Sequence, residues 1–194
     1  MNDLISLLLE SSRDAATLQP ELADIPDTLT RAIRVAAVRP QFRRIVIRHE
    51  HEGLTGGWFD PRGLQQVVTN IVLNACEAVP PSSGRVQVTS VGRQDGLEIS
   101  IADNGPGIPE PIRQRVFEPF VSHGKQGGTG LGLAIAQKIM RDHGGDVSLD
   151  SAGEGGTVFR LFLPFTSHSG HEALPSGDTR ESWNAPSSEA FPKK

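Results

Sequence analysis

Two glycine-rich turns, Asp103-Asn104-Gly105-Pro106-Gly107-Ile108 and Gly128-Thr129-Gly130-Leu131-Gly132-Leu133, carry the residues best suited to grip a ligand. The first follows an apolar strand and opens on a carboxylate, Asp103, which can accept a hydrogen bond from an amino group such as that on a purine ring. The second runs straight into a helix. A helix N-terminus preceded by small residues presents unpaired backbone N–H groups and a partial positive charge, and so attracts phosphate. An amino-bearing base at one turn and phosphate at the other suggest a nucleotide. Asn70 and Asn74 stand four apart on a predicted helix, so both amides project from one side. Amides at that spacing either bridge polar groups at the helix edge or offer carbonyl oxygens to a hard cation such as Mg²⁺.

Composition narrows the function classes. A chain of 194 residues is long enough for one domain with a substantial core, and its formal charge of −4 is mild. No basic stripe is present, which argues against nucleic-acid binding. The single cysteine, Cys76, excludes an internal disulfide and a multi-cysteine metal site. It fits a reducing, cytoplasmic setting and reads as core packing on the inner face of its helix. Leu4-Ile5-Ser6-Leu7-Leu8-Leu9 is too short to span a membrane, and Asp3 stands where a signal peptide would be basic.

The elements that must position these residues follow from periodicity. Residues 1–18 predict a short amphipathic helix, either a cap on the domain or the end of a longer helix, stopped by Pro20. A second helix is expected from Pro26 to Pro40. A strand is expected over Arg44–Glu50, with a turn over Gly53–Gly57. Asp60-Pro61 starts a helix with a capping carboxylate and a proline at the first helical position. That helix runs to Val79 with Leu64, Val67, Val68, Ile71, Ala75 and Ala78 inward. Arg85–Val91 and Leu97–Ala102 alternate as one hairpin, and Asp146–Asp150 and Thr157–Leu163 as another. After Thr166 the composition turns to Ser, Pro, Gly, Glu and His without periodicity, a disordered tail. The expected domain therefore covers 19–165, with 166–194 as tail. The expected fold is α+β: a two-layer sandwich of about three helices on one face of a mixed, mostly antiparallel sheet of about five strands.

In order along the chain, Asn70-Ile71-Val72-Leu73-Asn74 resembles the N box of sensor histidine kinases, and Asp103-Asn104-Gly105-Pro106-Gly107 their G1 box. Phe117-Glu118-Pro119-Phe120 resembles their F box, Gly128-Thr129-Gly130-Leu131-Gly132-Leu133 their G2 box, and Gly155-Gly156-Thr157 the last glycine motif. The resemblance spans roughly Leu22 to Pro164 and is greatest to the nitrogen-regulatory branch. It implies the Bergerat fold and a catalytic domain that binds ATP and Mg²⁺. On that resemblance Asp103 contacts the adenine amino group, and Gly105 and Gly107 let the backbone approach the base. Asn70 and Asn74 hold Mg²⁺, and Gly128, Gly130 and Gly132 hinge a lid over the phosphates. Phe117, Phe120, Thr129 and Leu131 fall at the nucleotide by the same motifs, and Thr157 helps fix the adenine.

The resemblance also implies partners. The acceptor would be a histidine on a dimerisation hairpin, followed by a response regulator, and no residue of this chain reads as that histidine. His171-Glu172-Ala173-Leu174-Pro175 mimics the acceptor motif but lies in the tail. The related ATPases place a glutamate general base where this chain has Asn70, an amide that cannot take a proton. Residue 70 thus favours transfer to protein over hydrolysis. Glu77 stands where many of these kinases carry lysine, which leaves Lys125, with His123 and Ser122, either to meet the γ-phosphate or to form a solvated loop. Two other readings share the fold: a regulatory nucleotide-binding module without turnover, and a protein-serine kinase of the anti-sigma-factor type.

Overall fold

A computed structural model describes residues 18–121, 129–151 and 155–166. The expected helix over 1–18, all but its last residue, and the expected tail beyond Thr166 lie outside the described residues.

Strand β1 (Glu21–Asp24) passes directly into helix α1 (Ile25–Ala37), whose N-cap Asp24 accepts from the Asp27 N–H. Asp27 in the first turn and Arg34 in the last complement the helix dipole. A 3₁₀ turn over Pro40–Phe42 leads to β2 (Val46–Gly53) and β3 (Gly56–Phe59). Helix α2 (Pro61–Ala78) begins as its sequence requires: the Asp60 carboxylate accepts from the N–H groups of Arg62 and Gly63, and Pro61 occupies the first turn. Strands β4 (Arg85–Gly92) and β5 (Gly96–Asp103) precede a one-turn helix α3 (Glu110–Arg113). Helix α4 (Gly132–Asp142), β6 (Asp146–Ser151) and β7 (Thr157–Pro164) complete the described chain.

The main sheet has the order β2-β4-β5-β7-β6; β2 runs parallel to β4 and every other pair is antiparallel. Alternation decides its two faces. Val86, Val88 and Ser90 of β4 are buried, while Gln87, Thr89 and Val91 between them are partly exposed. Helices α1, α2 and α4 pack on the buried face, with α2 between the other two. Leu64, Val67, Val68, Ile71 and Val72 of α2 are each no more than 1% exposed. Each such side chain contributes about 1.5–3 kcal/mol by leaving water. This is the expected α+β sandwich with a mixed, mostly antiparallel sheet.

Two strands differ from expectation. β1 and β3 form a separate antiparallel ribbon, in which Asp24 pairs with Gly56 and Glu21 with Phe59. Gly56-Gly57 reads as a turn because glycine lacks a side chain to show alternation, yet here the glycines lie in β3. Strand β2 also begins two residues later than expected and runs on to Gly53, a left-handed glycine (φ 79°).

Candidate functional site

Helix α2 links the two ends of the site. Near its middle, the Asn70 Nδ2 donates to the Gly132 carbonyl at 3.1 Å. A Cβ placed on Gly132 would lie 3.8 Å from Asn74 Nδ2 and 3.9 Å from Asn70 Cβ. Both asparagines therefore meet the first residue of α4. The N-cap of α4 is Leu131, with no side-chain cap, so the first amides of that helix are left for another partner. The bond from Asn70 uses its N–H₂ and leaves its oxygen as an acceptor, the ligand type a hard cation takes.

At the C-terminal end of α2 lies Asp103, the last residue of β5, 2% exposed. Its Oδ1 accepts from the Gly105 N–H at 2.8 Å. Thr157, its register partner on β7, donates to it from both backbone and hydroxyl. Burial raises the Asp103 carboxyl above its ordinary value, and these three hydrogen bonds act against that rise. Gly105 is required here: a Cβ would sit 2.9 Å from Asp103 Oδ1 and 3.2 Å from the Ala78 carbonyl oxygen. Gly107 adopts φ 78° and faces Gly156. Gly107, Gly156 and Thr157 wall a cleft of about 330 Å³ that Ile108, Arg113 and Leu149 help to line. Asp103 is not among its walls and reaches it through Thr157. Along α2, Asn70 and Ala78 are separated by about 12 Å of helix rise.

The F-box residues divide. Phe117 is partly buried and packs edge-on against Phe159 of β7, ring centroids 6.3 Å apart. Phe120 is 53% exposed and adopts φ 65°, rare for an aromatic residue. Its N–H donates to the Gly130 carbonyl at 3.0 Å, and Gly130 is itself left-handed at φ 66°. Thr129 is exposed beside it. Lys125, Ser122, His123 and Gly128 lie outside the described residues. Arg113 is a cleft residue that sequence reasoning missed; its position three residues after Glu110, with which it pairs, marks the short helix that carries it.

The chain belongs to the histidine kinase-, DNA gyrase B-, and HSP90-like ATPase family, whose model matches residues 59–167. Within it, the fold is that of the ATP-binding catalytic domain of sensor histidine kinases. The nitrogen regulation protein NtrY of Azorhizobium caulinodans is 46% identical over 112 residues, covering 54% of this chain and 14% of that protein. The sensory histidine kinase/phosphatase NtrB of Rhodobacter capsulatus is 34% identical over 176 residues, covering 83% of this chain and 49% of that protein. The chain thus spans less than half the length of these curated relatives. Among solved structures, the mycobacterial sensor histidine kinase MprB superposes with a TM-score of 0.64 at 32% identity, over 75% of this chain and 98% of that one. No helix among the described residues is long and apolar enough to cross a membrane.

Proposed function

We propose that this domain binds ATP with Mg²⁺ and transfers the γ-phosphoryl group to a histidine supplied by a dimerisation hairpin, from which a response regulator takes it. Asp103, backed by Thr157, accepts from the adenine amino group, while Gly105 and Gly107 allow the base to approach. The N-terminal amides of α4, from Gly132, face the phosphates, with Gly130, Leu131 and Thr129 leading into them and Phe120 at the base of the segment that follows. Asn70 and Asn74 would hold Mg²⁺ through oxygen, and Lys125 would meet the γ-phosphate. Bound Mg²⁺ supplies charge neutralisation along the phosphates. The domain proper is 19–165.

The observation that carries this reading is the meeting of Asn70 and Asn74 with Gly132, which puts the candidate metal ligands beside an uncapped helix N-terminus. Asn70 also supports transfer over hydrolysis, because an amide cannot serve as general base for water. An imidazole acceptor needs no such base when neutral. Titration with a fluorescent ATP analogue, with and without Mg²⁺, tests the binding. Labelled ATP plus a hairpin from a related kinase tests the transfer. Metal-dependent binding followed by label on the hairpin histidine is the expected result; binding without transfer would leave a regulatory module.

A further inference from the structure

We infer that His143, at the C-terminal end of α4, is a positioning residue for the phosphate end of the site, acting through the seat it occupies on α2. The inference rests on the nucleotide reading above. Helix α4 is held on α2 at both ends. At its start, Gly132 lies against Asn70 and Asn74. At its other end, His143 turns back on its own helix: Nδ1 lies 2.6 Å from the Ile139 carbonyl. A carbonyl only accepts, so Nδ1 carries the hydrogen and the ring is fixed in orientation.

The remaining edge of that ring is pressed onto the first turn of α2. Its side chain is 10% exposed, and Nε2 is buried with no hydrogen-bond partner among the described residues. Nε2 faces Asp60 Oδ2 at 3.6 Å, beyond hydrogen-bond range. The ring fits because residue 63 is glycine: a Cβ there would lie 2.7 Å from both Cε1 and Nε2. A buried imidazole edge that faces a carboxylate but makes no hydrogen bond calls for a reason beyond local stability. Helix α4 is a lever about 16 Å long. Shifting the ring at one end tilts the helix and moves Gly132 relative to Asn70 and Asn74. The adenine end hangs on β5 and β7, against which α4 packs less than against α2, so the shift is felt first at the phosphate end.

Two substitutions address the seat from different sides. His143→Ala removes the ring; Gly63→Ala displaces it while keeping the imidazole. Affinities for Mg²⁺-ATP and for adenosine are measured on the full chain by calorimetry and NMR titration. The expected result for His143→Ala and Gly63→Ala is Mg²⁺-ATP binding weakened about 2-fold to 30-fold, the range for changes relayed through packed elements, with adenosine binding unchanged. Equal losses for both ligands, unchanged ATP binding, or failure of both variants to fold would reduce His143 to a structural residue and overturn the inference. A wild-type chain that binds neither ligand would instead remove the nucleotide reading itself.

Discussion

The Asn70 side-chain amide donates to the backbone carbonyl of Gly132 across 3.1 Å, joining residues that stand on different helices and in motifs far apart in the chain. This bond fixes which way the amide points. Its N–H₂ serves the scaffold, and its oxygen is what the site has to offer. Asn74→Ala, one turn along the same face, should abolish Mg²⁺-dependent nucleotide binding. Fluorescence titrations at several Mg²⁺ concentrations check this, and metal dependence equal to the wild type would place the ion elsewhere.

Asp103→Asn should weaken ATP binding by about 1–3 kcal/mol, the scale for a hydrogen bond to a charged group. Calorimetry reads the loss directly. Affinity equal to the wild type would remove Asp103 from the base contact.

The same carboxyl makes a pH prediction. Burial raises its folded-state value above the ordinary one near ~3.9, so the folded protein holds that proton more tightly than the unfolded chain does. The stability linked to it is present at low pH and is lost as pH rises from the ordinary carboxylate range toward the folded value. Asp103→Asn removes this titration. The wild-type melting temperature minus that of the variant should fall as pH rises from about 4 toward neutrality; a difference that is flat or rises with pH would contradict the assignment.

Gly130→Ala should destabilise the domain by about 1–2 kcal/mol for the left-handed backbone alone. A further penalty comes from the methyl, which would lie 2.6 Å from the Phe120 carbonyl carbon. Urea unfolding measures the sum, and a loss below about 0.5 kcal/mol would mean the turn relaxes freely.

The Cys76 thiol is pushed up to about 11 by burial, with Glu77 and Asp103 adding to the rise. Only the thiolate reacts. Alkylation at pH 8 should be negligible in the native protein and should track unfolding as urea is added; fast modification of the folded chain would show the helix face to be open.

Much of this was legible in the sequence, for reasons that can be traced. The cap Asp60-Pro61 and the apolar spacing of Leu64, Val67, Val68 and Ile71 specify α2 locally, so its bounds fall where expected. The hairpin strands announce themselves by alternation. The β1–β3 ribbon does not, since four residues are too few for a period and β3 opens on two glycines. Phe117 shows the limit of motif reading: its place in the F box says nothing of the Phe159 ring it packs against. The pairing of Asp103 with Thr157 depends on strand order, which no local pattern encodes. The seat of His143 on Gly63 is hidden for the same reason, because neither residue looks unusual by itself.

The placement of Asp103 and Thr157 on β5 and β7 has one last consequence. Both strands are interior to the five-stranded sheet, bonded on each side, whereas Gly132 begins a helix resting on the surface of α2. Amide deuterium uptake should therefore be slowest on β5 and β7 and quicker at the first turn of α4. A ligand would find one half of its cradle already set and would slow exchange chiefly in the other.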